Sequence, residues 1–155
     1  YGWDNTFKYK NFDFSFFVRG TLGNKVLNHS RMAYANPGSL IGANAINDPL
    51  LYELKEVPKY CSYYIENGSF LRMDNMSLGY TFDTKKISWL DRARVYVTGQ
   101  NLFVITKYKG MDPEVALVRP NEDRNDSKTG LSPGVEDREY YPKSRSFSIG
   151  VNLTF

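Results

Sequence analysis

The chain has 155 residues, a net charge of +3, twelve Tyr, ten Phe and a single Cys. The length suits one ordinary domain. One cysteine excludes an internal disulfide scaffold, and Lys and Arg scattered among Asp and Glu leave no basic stripe for nucleic acid. No run approaches the ~18 apolar residues of a membrane helix, whereas a membrane-spanning strand needs only alternate apolar residues, so a negative mean hydropathy leaves a β-barrel open.

The opening Tyr1-Gly-Trp-Asp-Asn-Thr-Phe has strand character, with no initiator Met and no secretory leader, so a piece of a longer protein is expected. A first short strand is predicted over Asp4–Lys8, ending at the turn Tyr9-Lys10-Asn11. The second, Phe12–Gly23, places Phe12, Phe14, Phe16 and Val18 on one face and Asp13, Ser15, Phe17 and Arg19 on the other. Residues 24–69 read as a long connection, broken at Asn36-Pro37-Gly38 and Asp48-Pro49, with helical turns expected near Lys25–Ala35 and Leu50–Glu56. The third strand, Ser69–Phe82, alternates Met76, Leu78, Tyr80 and Phe82 with Ser77, Gly79 and Thr81. A short connection leads to the fourth strand, Ala93–Ile105. Val95 and Val97 share one face there, and Arg94, Tyr96, Thr98 and Gln100 the other. Residues 106–144 form a second long loop, polar enough over Asn121–Gly130 to be mobile.

The last strand carries the clearest pattern. Phe147, Ile149, Val151, Leu153 and Phe155 alternate with Ser146, Ser148, Gly150, Asn152 and Thr154, which gives one greasy and one wet face. Ten residues reach roughly 33 Å, enough when tilted to cross the ~25 Å apolar band of an outer-membrane barrel. Connection lengths run short, long, short, long, as in barrels with short periplasmic turns and long extracellular loops. Five strands cannot close such a barrel, so further strands must pair with these. The rival architecture is a soluble extracellular β-sandwich that binds carbohydrate through its tyrosines.

Three stretches resemble a known family: Glu66-Asn-Gly-Ser-Phe-Leu-Arg-Met-Asp-Asn-Met-Ser-Leu-Gly-Tyr-Thr-Phe82, Val95-Tyr-Val-Thr-Gly-Gln-Asn-Leu-Phe-Val-Ile-Thr-Lys-Tyr-Lys-Gly-Met-Asp-Pro-Glu-Val115, and Tyr140-Tyr-Pro-Lys-Ser-Arg-Ser-Phe-Ser-Ile-Gly-Val-Asn-Leu-Thr-Phe155. Together with Gly20-Thr-Leu-Gly-Asn24 they look like the carboxy-terminal end of the SusC/RagA family of TonB-dependent outer-membrane transporters. The resemblance implies an all-β fold: an antiparallel transmembrane β-barrel segment, about five carboxy-terminal strands of a 22-stranded barrel, with two long extracellular loops across residues 1–155. It also implies a bacterial outer-membrane importer of large nutrients, oligosaccharides or peptides. The implied partners are a SusD-like surface lipoprotein, TonB through a missing amino-terminal part, the remaining barrel and plug, lipid, and the barrel insertion machinery.

Candidate residues follow from these faces. Phe147, Ile149, Val151, Leu153 and Phe155 are expected to meet lipid. Arg19, Arg94, Gln100 and Asn152 are expected to face the lumen or plug, and an Arg fork at position 19 or 94 suits a plug carboxylate. Gly110-Met-Asp-Pro-Glu114 reads first as a turn, because Asp before Pro resists helix; the alternative is contact with ligand or lid by Asp112 and Glu114, which also have the oxygen chemistry for Ca²⁺. Tyr140 and Tyr141 suit an interfacial girdle or a ligand contact, and the same two readings hold for Tyr60, Tyr63 and Tyr64. Asn101 is expected to bond neighbouring strands or, alternatively, a ligand. No catalytic constellation stands out: His29 and Cys61 lack an orienting third group, one His and one Cys make half a zinc site, and no phosphate-binding Gly-Lys-Ser/Thr loop occurs. The expectation is therefore a non-enzyme without a resident cofactor.

Overall fold

The structure, a computed structural model, describes residues 1–35, 59–85, 87–119, 130–136 and 141–155. In chain order the elements are β1 (Gly2–Tyr9), β2 (Phe12–Thr21), β3 (Lys25–Leu27), α1 (His29–Tyr34), a 3-10 turn (Ser62–Tyr64), β4 (Ile65–Asn67), β5 (Phe70–Phe82), β6 (Arg92–Thr106), β7 (Ala116–Arg119), β8 (Gly130–Pro133) and β9 (Ser146–Thr154). They divide into two compact units: Tyr1–Thr21 with Phe70–Ile105 and Lys143–Phe155, and Leu22–Ser69 with Thr106–Pro142. No helix among the described residues is long and apolar enough to cross a membrane, which leaves strands unaddressed.

The first unit is one sheet in the order β1-β2-β5-β6-β9. The five expected strands are these five, longer at several ends than the alternation suggested. Residues directly opposite share a face, so the register reads out the two surfaces. Between β6 and β9, Ala93, Val95 and Val97 oppose Leu153, Val151 and Ile149, while Arg94 opposes Asn152 and Thr98 opposes Ser148. Between β1 and β2, Trp3 opposes Val18 and Phe7 opposes Phe14; between β2 and β5, Phe14 opposes Leu78 and Phe12 opposes Tyr80. Rings interlock on this apolar face: Trp3 meets Phe16 edge-on at 5.2 Å, and Tyr80 meets Phe12 at 4.7 Å and Phe82 at 5.0 Å. Each such pair contributes about 0.5–1.5 kcal/mol beyond its buried area.

The apolar face lies open. Phe147 is 69% exposed and Ile149 78%. Among the described residues of this unit only Phe70 and Leu90 are large apolar side chains that are buried. Water does not stabilise so wide an apolar surface, which calls for a covering medium.

One strand departs from simple alternation. Phe17 faces Asn75 but Val18 faces Met73, so Asp74 is the extra residue of a β-bulge. Strict alternation back from Met76 would put Asp74 and Arg72 on the apolar face. The bulge resets the parity, returning Met73 and Leu71 to the apolar side and Arg72 to the polar one. In β6, Asn101 holds φ of 53°, a left-handed backbone that Asn tolerates and that suits a second bulge.

The second unit was not foreseen. Residues 24–69 and 106–144 are expected from sequence as two separate polar loops, yet their described parts fold together. β3 pairs with β4 antiparallel, and β7 with β8. Leu27 N–H donates to the Gly134 carbonyl at 2.8 Å and Glu136 N–H to the Leu27 carbonyl at 3.1 Å, joining segments more than a hundred residues apart. Val26, Tyr108 and Val115 form one small core, and Met32, Ala35 and Tyr64 another. The helical turn expected near Lys25–Ala35 is α1, confined to its second half and capped by Asn28, whose Oδ1 accepts from Arg31 N–H at 2.8 Å; its first half is strand β3, with Val26 opposite Glu66. The turn expected at Leu50–Glu56 and the polar stretch 121–129 lie outside the described residues.

Candidate functional site

The polar face of the five-stranded sheet gathers the charged candidates. Arg94 on β6 forks onto Asp13 on β2, Nε to Oδ1 at 2.9 Å and Nη2 to Oδ2 at 2.5 Å. β5 runs between them, and Gly79 stands opposite Asp13. A Cβ at Gly79 would lie 2.6 Å from both Arg94 Nε and Asp13 Oδ1, so the pair closes only because that position is glycine. The Arg94 guanidinium also lies 4.9 Å over the Tyr96 ring, which fills the space beside Gly150. Asn152 stands opposite Arg94 in register.

Arg19 forms an ion pair with Asp74, the bulge residue, through Nε and Oδ2. Arg19 or Arg94 is expected from sequence to suit a plug carboxylate; within this sheet each engages an acid of the sheet itself. Gln100 Oε1 accepts from Ser146 Oγ at 3.4 Å. Asn101 bonds neighbouring strands as one of its two sequence readings expects: its Oδ1 accepts from Arg72 Nη1 at 2.5 Å, and its Nδ2 donates to the Lys143 and Ser144 carbonyls at 3.0 and 3.1 Å. Around these groups an open polar cleft is lined by Arg19, Asp74, Asn75, Gln100, Asn101 and Lys143. Planar amides beside charged groups offer both donors and acceptors to a polar solute.

In the second unit the candidates separate. Asp112 is buried, and its Oδ1 accepts the Glu114 N–H at 2.9 Å, the turn that Asp before Pro predicts. Glu114 is half-buried. Tyr141 is 84% exposed, and Tyr140 lies outside the described residues. His29 lies beside the Tyr60 ring at 6.0 Å, and Cys61 is an exposed free thiol. Among the described residues no three His, Cys, Asp or Glu side chains converge as metal ligands.

The residues that organise this unit escaped the sequence reading. Glu136 is fully buried, with Oε2 accepting from Tyr108 Oη at 2.6 Å and Oε1 from Met111 N–H at 3.1 Å. Glu66 accepts from Asn28 Nδ2 at 3.1 Å, Arg31 Nη1 at 3.3 Å and Lys109 N–H at 2.9 Å. Two carboxylates thus staple the segments together, each accepting from donors far apart in sequence, with the Tyr108 hydroxyl the buried one among them. Burial, and then the adjacent Glu136 carboxylate, hold the Tyr108 hydroxyl far above the ordinary tyrosine range. Tyr108 and Gly110 stand two residues apart in sequence, but only the fold shows that a Cβ at Gly110 would strike the Tyr108 ring.

Comparison with known proteins places the whole chain. No protein-family model matches it. It is 36% identical over 99% of its length to the TonB-dependent receptor SusC of Bacteroides thetaiotaomicron, and 31% identical over 99% to the TonB-dependent receptor P3 of Formosa agariphila. Among solved structures it is similar to the RagAB peptide importer in its open-open state, with a TM-score of 0.75 at 24% identity over 99% of this chain, a likeness of fold. The closed-closed state gives a TM-score of 0.72 at 25% identity over 95%. The chain spans only 15–17% of the lengths of these proteins.

Proposed function

Because the chain belongs to the SusC/RagA family of TonB-dependent receptors, we propose that its sheet is a stretch of wall, the carboxy-terminal strands of a 22-stranded outer-membrane barrel. The observation that carries this reading is the sheet itself. One face is apolar and uncovered, the other polar and internally ion-paired, and both short connections, Lys10-Asn11 and 83–91, lie at one end. A soluble sandwich would cover the apolar face with a second sheet, and no described strand does so.

In this reading the apolar face meets lipid and the polar face lines the lumen. The two long connections leave the sheet at the end opposite the short turns, the extracellular end, and Glu114 and Tyr141 on them are candidate contacts for a SusD-like lipoprotein or for substrate. The complete protein imports a large nutrient, oligosaccharide or peptide, with energy delivered by TonB to segments outside this chain. The chain's part is passive: it closes the wall, holds the mouth and lines the path.

The test uses the full-length protein in its own bacterium. The expected result is recovery in the outer-membrane fraction, gel migration that changes on heating as a closed barrel opens, and co-purification with a surface lipoprotein. A protein recovered in the soluble fraction, binding carbohydrate as a monomer, would overturn the reading.

A further inference from the structure

The left-handed Asn101 turns over the far end of β6. Up to that point the odd positions share the apolar face, with Val97 opposite Ile149 and Gly99 opposite Phe147. A Cβ at Gly99 would lie 2.6 Å from the Leu102 side chain, so Leu102, an even position, lies on that same apolar face. Parity has shifted by one between them, and alternation then carries Phe103 and Ile105 to the polar face. Both are exposed, Phe103 by 43% and Ile105 by 61%. The polar run of β6 through Arg94, Thr98 and Gln100 thus ends in two large apolar side chains, where the second long connection leaves the sheet. Next along the same face is the cleft that Asn75 and Gln100 help to line, of about 340 Å³, a volume that suits a small ligand or part of a larger one. Both amides are exposed. Gln100 uses Oε1 to accept from Ser146; among the described residues its Nε2 and the whole Asn75 amide are left without a side-chain hydrogen bond. Strand spacing puts Phe103 about 10 Å and Ile105 about 17 Å beyond Gln100.

We propose that this end of the polar face binds an extended peptide from the imported nutrient, its backbone amides on Asn75 and Gln100 and an apolar side chain on Phe103 and Ile105. The inference deepens the reading of the sheet as the wall of an importer and rests on it. Apolar side chains exposed on a face that is otherwise polar, and bordered by polar groups, mark a ligand groove. They lie on the side of the sheet away from Ile149 and Val151, so lipid does not account for them. A peptide carries in one short segment what the two parts of the site ask for. Its planar amides offer both a donor and an acceptor to Asn75 and Gln100, and about four to five extended residues span the ~10–17 Å from Gln100 to Phe103 and Ile105. An oligosaccharide would satisfy the amides with its hydroxyls, but the apolar faces of its rings pack best on flat aromatic surfaces. The more exposed member of this pair is Ile105, a branched aliphatic side chain that suits an aliphatic or aromatic side chain instead. Asn101 holds the arrangement in place, since its side chain is already committed to Arg72 and to the Lys143 and Ser144 carbonyls.

The test uses the full-length protein, purified in detergent from its own outer membranes and incubated with a tryptic digest of casein or with maltoheptaose. After washing, the retained molecules are identified by mass spectrometry. The wild type should retain peptides enriched in Leu, Ile, Val and Phe relative to the digest. Phe103→Ser/Ile105→Ser should retain several-fold less, and Phe103→Leu/Ile105→Leu close to the wild-type amount. Val104→Ser, on the apolar face, should leave the peptide retained per folded barrel unchanged. Equal retention by the Ser pair, retained peptides without apolar enrichment, or maltoheptaose held in their place would overturn the proposal. So would a wild type that retains neither while its migration still changes on heating. A protein lacking that heat-dependent migration would fail the barrel reading first and take this site with it.

Discussion

Gly79 shows how one missing side chain sets the chemistry of a face. The Asp13–Arg94 fork spans the strand that carries Gly79, and the space a Cβ would take is the space the two charged groups use. Gly79→Ala should therefore act through the ion pair. In a double-mutant cycle with Arg94→Ala on the refolded full-length barrel, Gly79→Ala alone should cost about 2 kcal/mol, of the order of a hydrogen bond to a charged group. In the Arg94→Ala background it should cost much less, because the clash has gone. Additive effects by denaturant unfolding would show that Gly79 serves the backbone alone. Tyr108 makes a second test at this scale. Its hydroxyl stays protonated in the folded protein well above the ordinary tyrosine range, held there first by burial and then by Glu136. In the unfolded chain it ionises near pH ~10. The unfolded state thus releases a proton that the native state keeps, and the stability linked to this group is full below pH ~10 and falls as pH rises beyond it. Urea unfolding of the loop unit at pH 8 and pH 11 should show that fall, and Tyr108→Phe should remove its share. An unchanged pH dependence in Tyr108→Phe would assign the loss to other groups.

At the scale of the element, the five strands of the sheet were legible because alternation is a local property. β9 is the extreme case, with every second residue apolar and no interruption, and β6 matches it residue for residue. The bulge in β5 was illegible for the same reason. Leu71, Met73 and Met76 look like a lapse in pattern until β2 shows where the extra residue goes. Asp74 both resets the parity and supplies the partner of Arg19, so its backbone and its side chain can be tested separately. Asp74→Ala should keep the bulge and lose only the ion pair, leaving a barrel that assembles with modestly reduced stability. Deleting residue 74 removes the extra residue together with the bulge, so plain alternation from Met76 still places Met73 on the apolar face and Arg72 on the polar one. A chain that kept residue 74 without the bulge would turn Arg72 toward the apolar face, where a cation on the lipid side of a barrel costs about 2–4 kcal/mol near the midplane and less toward the interfaces. The deletion should therefore give folded barrel in the outer membrane at a level close to that of Asp74→Ala. A deletion that loses the folded barrel where Asp74→Ala keeps it would mean that the bulge does more than set the face. The loop unit was hidden from sequence on different grounds: Glu136 is one of seventeen acids, and its donors Tyr108 and Met111 lie across a gap that no short-range pattern spans. Asp112, by contrast, sits next to Pro113, and its turn could be read from two adjacent residues.

At the scale of the whole molecule the argument turns on surfaces that this chain leaves unsatisfied. β1 and β9 are the two edges of the sheet, each with a row of backbone donors and acceptors facing outward. The apolar face between them carries Trp3, Phe7, Phe147, Ile149 and Val151 in the open. An exposed edge invites pairing with another chain, and an exposed apolar face invites association or lipid. In a closed barrel, neighbouring strands would pair both edges and the hydrocarbon would cover the face. Residues 1–155 expressed alone have neither, so the same features that suit them to a wall should make them associate in water. Refolded without detergent and followed by sedimentation, the chain should form large, strand-rich assemblies with no cooperative thermal transition. Detergent should disperse them by covering the apolar face while leaving the edges to pair. A monomer that melts cooperatively in water would mean that these surfaces are satisfied within the chain, and the wall reading would lose the observation on which it stands.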